Sequence, residues 1–191
     1  MRVVAFNGSP RAFGNTAALL KTALEELERE GIHTEVVHIP GPLHGCQGCR
    51  LCAERKDGRC AAEGDELNRY LDLMVQADGI LLGSPTYFAD VTANMKALIE
   101  RSGMVARVNG DLLRRKVGAG VVAVRRAGAM HAFDSLLHFF TISQMIVVGS
   151  SYWNIGIGRE PGAVLRDEEG LDTLRTLGRN MAWLLQKINR T

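Results

Sequence analysis

The chain has 191 residues, a length that suits one domain with a sizeable core. A hydrophobic content of 46% argues against disorder, and a net charge of +2 gives no basis for a nucleic-acid-binding surface. No apolar stretch is long enough to span a membrane, and the first apolar run breaks too early for a signal peptide. We therefore expect a cytoplasmic protein whose 4 cysteines are reduced thiols or metal ligands.

Strand-like and helix-like patterns alternate along the chain. Strands are predicted from short apolar or β-branched runs, and helices from apolar residues that recur every three or four positions. In chain order the patterns predict a strand at 2–6, a helix at 15–29, a strand at 35–39, a cysteine-rich loop at 44–62, a helix at 65–76, a strand at 79–83, a helix at 92–103, a strand at 116–124, a helix at 129–143, a strand at 145–149 and a helix at 171–189.

Five apolar strands separated by helices favour an α/β fold with a doubly wound parallel sheet and helices on both faces. Right-handed crossovers then make 2-1-3-4-5 the expected strand order. Neither a repeat nor a linker divides the chain, so residues 1–191 are expected to form a single domain. The irregular segment 153–167 predicts a surface connection, with a lid or a subunit contact as the alternative.

In such a sheet, ligands bind beyond the carboxyl ends of the strands, where the strand order reverses. The loop at 7–16 follows the first strand and leads into a helix, whose free N–H groups favour an anion. The loop lacks Walker A and G-x-G-x-x-G patterns, which disfavours ATP and dinucleotides. We predict a phosphate monoester there; a helix cap without a ligand is the alternative. The candidate residues are the donors Ser9, Arg11, Asn15 and Thr16, and Gly14, which permits close backbone approach.

The loop after the third strand, Ser84 to Val91, carries the adjacent aromatic residues Tyr87 and Phe88. Its backbone groups can meet the polar edge of a planar ring, and either aromatic residue can pack near that ring. The alternative interpretation is a loop tip whose aromatic side chains close the core.

All 4 cysteines of the chain lie in one short segment, at Cys46, Cys49, Cys52 and Cys60. The first three have the compact spacing typical of ligands to a 4Fe-4S cluster. Structural zinc sites more often separate two pairs by a longer loop. A zinc site, or thiols without a metal, including a Cys46–Cys49 dithiol pair, therefore remain alternatives.

Together, Gly8-Ser9-Pro10-Arg11 with Gly14-Asn15-Thr16 and Ser84-Pro85-Thr86-Tyr87 resemble the NADPH-dependent FMN reductase and iron–sulfur flavoprotein group of the flavodoxin-like superfamily, over about residues 1–150. The resemblance implies that Ser9, Arg11, Asn15 and Thr16 bind the phosphate of FMN. It implies that Pro85, Thr86, Tyr87 and Phe88 line the isoalloxazine ring. A third loop, Arg125-Arg126-Ala127-Gly128, would complete the site with Ala127 and Gly128. It also supports a cluster on the cysteines, and it implies homodimers or homotetramers.

The expected function is an oxidoreductase that passes electrons from NAD(P)H or a ferredoxin-type donor through FMN to an acceptor. A non-catalytic electron carrier is the first alternative, and a zinc-stapled domain is the second. The sequence offers neither a Ser-His-Asp arrangement nor a G-x-S-x-G motif, so nothing supports hydrolysis. No catalytic acid–base residue is predicted.

Overall fold

A computed structural model describes residues 1–189 of the chain. Strands and helices follow the predicted order, and the cysteine-rich segment, expected as a loop or a short irregular helix, contains a short helix. The strands are β1 (Arg2–Asn7), β2 (His33–His38), β3 (Gly79–Pro85), β4 (Val117–Val124), β5 (Ile146–Val147) and β6 (Ile155–Ile157). The helices are α1 (Asn15–Arg29), α2 (Leu51–Arg55), α3 (Leu67–Gln76), α4 (Ala93–Val108), α5 (Ala129–Ile142) and α6 (Glu168–Ile188).

The strands form a parallel sheet in the order β2-β1-β3-β4-β5, which confirms the predicted flavodoxin-like topology. The fifth position differs from the prediction because two short strands share it. β5 pairs with the start of β4 at Val117 and Gly118, and β6 pairs with its end at residues 122–124. Between them the chain leaves the sheet, and the Asn154 side chain donates to the Gly120 carbonyl at 3.0 Å. That hydrogen bond replaces the ladder bond that a continuous strand would have made.

Both faces of the sheet are covered by helices. Val4 and Phe6 of β1 pack into a core with α3, α4 and α5, whereas Val3 and Ala5 pack into a second core with α1 and α6. The alternation follows from the two-residue period of a strand. Burial on both sides explains why the strands read as nearly continuous apolar runs.

Two helices are longer than predicted. α4 continues past Gly103 to Val108, so this glycine does not end the helix as predicted; a Cβ there would lie 3.5 Å from the ring of Phe139, an ordinary packing distance. α6 begins three residues before its predicted start, where the side chain of Asp167 accepts a hydrogen bond from the Gly170 N–H. Among residues 1–189, no helix combines the length and the apolar character needed to cross a membrane.

Candidate functional site

The loops after β1 and β3 are fastened together at the carboxyl edge of the sheet. The Gly8 N–H donates to the Gly83 carbonyl at 2.8 Å. Thr92, at the start of α4, donates its hydroxyl to the Gly8 carbonyl at 2.7 Å and its N–H to the Ser84 hydroxyl at 3.1 Å. The two loops singled out by sequence therefore form one continuous surface at the point where the strand order reverses.

A cavity of about 120 Å³ lies between these loops. It brings together every predicted phosphate residue of the first loop and most of the predicted ring residues of the second. The predicted residues that line it are Ser9, Arg11, Gly14, Asn15, Thr16, Pro85, Thr86 and Tyr87. The remaining lining residues are Arg125, which belongs to the predicted third loop, and five residues that were not predicted as contacts, namely Ala123, Val124, Gly158, Arg159 and Pro161.

The start of α1 gives this cavity an anion-binding character. Gly14 is the N-cap, so no side chain caps the helix, and the first turn carries no acidic residue. The first N–H groups of α1 are thus left for a ligand. Arg11 adds a permanent positive charge, and within residues 1–189 it makes no ion pair.

The side chain of Asn15 has a role that the sequence did not reveal. Its amide N–H groups donate to the carbonyls of Gly158 and Glu160, each at 3.0 Å, and its carbonyl accepts from the Val164 N–H at 3.4 Å. Asn15 therefore holds the segment after β6 against the cavity. A contact between its side chain and a phosphate stays a prediction, and its backbone N–H lies in the first turn of α1.

Thr86 places a polar atom without a partner beside the cavity. Its N–H donates to the Ala123 carbonyl at 2.8 Å, but its hydroxyl oxygen is buried and makes no hydrogen bond in the described part of the chain. A buried hydroxyl without a partner is costly, so such groups in native proteins call for a reason. Because Thr86 lines the cavity, a ligand that reached this hydroxyl would supply that reason.

Tyr87 and Phe88 point away from the core, so the interpretation of the loop as a core-closing tip is wrong. Tyr87 and Asp90 exchange backbone hydrogen bonds across a tight turn, in which Phe88 and Ala89 have left-handed φ angles of 48° and 63°. The Phe88 side chain is fully exposed, and it does not line the cavity. Burial alone raises the pKa of the Asp90 carboxyl, but hydrogen bonds from Ser135 and the Val91 N–H outweigh it and lower that pKa.

The third predicted loop contacts two parts of the site: Arg125 lines the first cavity, whereas Gly128 packs on the turn at Phe88 and Ala89. A Cβ at Gly128 would lie 3.2 Å from the Cα of Ala89. Ala127 and Gly128 line a neighbouring cavity of about 340 Å³ together with Tyr152 and Trp153. This second cavity shares Val124, at the end of β4, with the first.

The 4 cysteines are free thiols that all line one cavity of about 420 Å³. Cys52 lies on α2 and is buried, Cys60 is half-buried, and Cys46 and Cys49 are exposed. Among residues 1–189, no group of three or more metal-ligating side chains is gathered closely enough to hold a metal ion. The structure therefore brings the predicted ligands to one cavity without bringing them to ligand distance from a common centre.

The thiols of the cysteine loop influence one another electrostatically. Burial raises the pKa of the Cys52 thiol, and the negative charges of Cys60 and Cys49 raise it further, although backbone hydrogen bonds oppose the change. The sulfur atoms are thus close enough for their thiolates to repel one another. A positively charged occupant would relieve that repulsion.

Two asparagines that sequence reasoning missed hold the cysteine loop. Asn68 of α3 accepts from the Cys60 N–H at 2.8 Å and donates to the Cys60 carbonyl at 2.9 Å. Asn109, just after α4, accepts from the Gly58 N–H at 3.0 Å and donates to the Cys52 carbonyl at 3.2 Å. Neither has a sequence signal, because Asn109 lies 51 and 57 residues from its two partners in the loop, and a single asparagine 8 residues after a cysteine forms no recognised motif.

With this geometry established, comparison with known proteins identifies the family. The family model described as NADPH-dependent FMN reductase matches residues 1–160. The chain belongs to this family. An iron–sulfur flavoprotein of Methanocaldococcus jannaschii is 39% identical over the full length of both chains. Another, of Archaeoglobus fulgidus, is 35% identical and covers 89% of this chain and 83% of its own. The resemblance drawn from the two loop motifs is confirmed.

Solved structures agree with the fold. RosB, crystallised with the intermediate 8-demethyl-8-formylriboflavin-5'-phosphate, matches with a TM-score of 0.79 at 22% identity, over all of this chain and 81% of RosB. The NAD(P)H:quinone oxidoreductase of Methanothermobacter marburgensis matches with a TM-score of 0.69 at 15% identity, over 95% of this chain and 96% of its own. These likenesses identify a flavodoxin-like fold.

Proposed function

We propose that the chain is an FMN-dependent oxidoreductase that binds its flavin between the loops after β1 and β3. Ser9, Arg11, Gly14, Thr16 and the N–H of Asn15 bind the phosphate. The remaining proposed contacts, with the ring, are Pro85, Thr86, Tyr87, Phe88, Ala127 and Gly128. When bound, FMN supplies the hydride and electron chemistry, so the chain's own part is to bind and orient it.

The observation that carries this proposal is the cavity where the start of α1, Arg11 and Thr86 converge. Within residues 1–189, the helix start has no side-chain cap, Arg11 makes no ion pair and the Thr86 hydroxyl makes no hydrogen bond; the first two features favour an anion. The FMN reductase family supplies the matching ligand, because FMN combines one phosphate monoester with a polar-edged ring.

We further propose that Cys46, Cys49, Cys52 and Cys60 bind a 4Fe-4S cluster. Four thiols on one cavity are a suitable donor set, and the relatives named iron–sulfur flavoprotein support a cluster rather than zinc. The glycines and left-handed residues of the loop allow its backbone to turn around an occupant; Arg50 and Lys56, at the two ends of α2, have φ angles of 61° and 49°.

The electron donor separates two versions of this function. The family name favours NADPH as the donor of a reductase. The exposure of Cys46 and Cys49 favours a carrier that exchanges electrons with a ferredoxin-type protein, because a cluster held there would lie near the surface. Steady NAD(P)H oxidation by the purified protein would support the reductase. Rapid reduction by ferredoxin without NAD(P)H oxidation would support the carrier.

The deciding experiment is an anaerobic absorption spectrum with iron, sulfide and zinc assays on the same sample. We expect flavin bands, a broad iron–sulfur shoulder and about four irons per chain. A Cys52→Ser variant should lose the iron and keep the flavin, whereas Arg11→Ala should weaken flavin binding and keep the iron. Failure of added FMN to bind would overturn the flavin proposal. Zinc in place of iron, or failed cluster reconstitution, would overturn the cluster proposal alone.

A further inference from the structure

Arg101 of α4 is a charged side chain enclosed behind the cysteine loop. Its side chain is 1% exposed, and it forms an ion pair with Asp65, whose side chain is 2% exposed. One arm of the guanidinium also donates to the His44 carbonyl at 3.2 Å, and the other donates to the Ala62 carbonyl at 3.1 Å. A single side chain therefore fastens both ends of the 44–62 loop.

The same guanidinium reaches one of the thiols. Its Nε–H donates to the Cys60 Sγ at 3.3 Å, a normal length for a hydrogen bond to sulfur. Asp65 is fixed in turn, because it also accepts from the N–H groups of His44 and Leu67. Arg101 thus presents an oriented N–H group and a positive charge to Cys60.

Stability alone is a weak reason to bury this pair. Taking two charges out of water costs several kcal/mol, and apolar replacements of buried ion pairs are often neutral or stabilising. What an apolar pair cannot supply is an N–H donor and a positive charge at a sulfur atom. Reduction adds negative charge to a cluster, so both features favour the reduced form.

We propose that Arg101 is a positioning residue of the cysteine site, which holds the 44–62 loop in shape and raises the reduction potential of the cluster bound there. This inference rests on the proposed cluster at Cys46, Cys49, Cys52 and Cys60. It assigns Arg101 a role through Cys60, not a contact with substrate or flavin.

The test compares Arg101→Gln and Arg101→Lys with Arg59→Gln. Arg101→Gln removes the positive charge and the guanidinium N–H donors. Arg101→Lys keeps the charge but loses the Nε–H donor. Arg59 is the matched control: it lies beside Cys60 in sequence, but its guanidinium binds Asp72 at 2.9 Å and is 49% exposed. Arg59→Gln therefore removes a nearby charge without removing a bond to sulfur.

The first readout is the cluster midpoint potential of the reconstituted protein, from an anaerobic spectroscopic titration. In Arg101→Gln we expect the reduced-to-oxidised ratio at a fixed potential to fall about tenfold, which is about 59 mV for a one-electron couple. In Arg101→Lys the ratio should fall by less, because the positive charge remains. The second readout needs no cluster. A protease that does not cut after arginine should cleave the cluster-free protein within residues 44–62 faster in both Arg101 variants than in the wild type. Arg59→Gln should match the wild type in both assays.

The inference would be overturned if both Arg101 variants had the wild-type midpoint potential and cleavage rate. It would also be overturned if Arg59→Gln shifted the midpoint potential as much as the Arg101 variants do. Loss of fold in both Arg101 variants, detected by circular dichroism, would assign Arg101 to the core alone and would also overturn it. A wild-type protein that never retains iron would overturn the cluster proposal together with this inference. An iron-loaded wild type with unshifted variants would overturn only the role of Arg101.

Discussion

At the scale of single residues, Arg11 is the strongest candidate for direct recognition of the phosphate. Arg11→Ala should weaken FMN binding by about 1.5–3 kcal/mol, the scale of a hydrogen bond to a charged group. Titration of the apoprotein with FMN, followed by flavin fluorescence, measures the change. Arg114→Ala is the control, since this exposed arginine lies just before β4, at the opposite edge of the sheet. Unchanged affinity in Arg11→Ala would remove Arg11 from the site.

Thr86 yields a prediction with opposite signs for stability and binding. Thr86→Val removes the hydroxyl that has no partner, so the flavin-free protein should gain about 1 kcal/mol in its free energy of unfolding. The same change should weaken FMN binding by about 0.5–1.5 kcal/mol, because valine has no hydroxyl that could form a hydrogen bond with the ligand. Denaturant unfolding and FMN titration provide the two values.

Two variants separate these effects. Thr86→Ser keeps the hydroxyl and should bind FMN more tightly than Thr86→Val. Ser143→Ala removes another buried hydroxyl without a partner, just before the amino end of the β5 position, and should leave FMN affinity unchanged. A Thr86→Val protein that binds FMN as well as the wild type would show that this hydroxyl does not face the ligand.

At the scale of elements, the segment after β6 depends on Gly158 for its position in the cavity. A Cβ at this residue would lie 2.5 Å from the Val164 N and 3.0 Å from the Ala163 carbonyl carbon, and backbone cannot yield as a side chain can. Gly158→Ala should therefore displace the segment, lower the free energy of unfolding by about 1–3 kcal/mol and weaken FMN binding. Thermal unfolding with and without FMN measures both effects.

Gly149→Ala is the matched control, because a Cβ there would meet nothing within 4 Å and the residue does not need a left-handed φ. Gly149→Ala should have the same free energy of unfolding and the same affinity for FMN as the wild type. Equal behaviour of the two variants would mean that the segment after β6 has room to shift, and that Gly158 and Arg159 do not shape the cavity.

The ion pair between α4 and the cysteine loop should make stability depend on acid pH. Burial alone raises the pKa of the Asp65 carboxyl, but hydrogen bonds from Arg101, His44 N–H and Leu67 N–H outweigh it and hold that pKa below its usual range. A depressed carboxyl pKa stabilises the fold at pH values above the unfolded pKa of about 3.9, and this contribution is lost as the pH falls through the folded value.

Asp65→Asn should therefore lower the free energy of unfolding by about 3–5 kcal/mol at neutral pH, because it leaves Arg101 buried without its counter-ion. The difference in the free energy of unfolding between Asp65→Asn and the wild type should stay constant down to about pH 5 and should become smaller below about pH 3.9. Asp72→Asn, which breaks the exposed pair with Arg59, should cost less than about 1 kcal/mol. A constant difference across the acid range would show that folding does not lower the pKa of the Asp65 carboxyl.

Local pattern was enough to predict the main strands and the two loops that meet at the cavity, because each rests on residues adjacent in sequence; the strand order followed from the right-handed crossover rule. The boundaries of α1 were predictable for the same reason: its apolar positions repeat between Gly14 and Gly31. Long-range bonds were not predictable. The bonds from Asn15 to Gly158 and from Arg101 to Cys60 join distant segments, and β6 is defined by its pairing with the end of β4, about 33 residues earlier in the chain.

At the scale of the whole molecule, the sheet edge formed by β5 and β6 carries exposed apolar side chains. Ile146, Val147 and Ile157 are each more than a third exposed, and Tyr152 and Trp153 pack edge-to-face beside them with ring centroids 4.6 Å apart. Edge strands with apolar side chains are templates for association. We propose that a second copy of the chain covers this edge, as a homodimer or as part of a homotetramer.

Trp153→Glu should therefore convert the protein to monomers, because a charge would be buried in the contact between copies without a partner. Size-exclusion chromatography with light scattering measures the mass directly. Trp183→Glu is the control, since Trp183 is the other tryptophan of the chain and is 61% exposed on α6, which packs on a face of the sheet rather than at this edge. Monomers from Trp183→Glu but not from Trp153→Glu would move the contact to α6. A monomeric wild type would rule out self-association and leave the β5–β6 edge exposed.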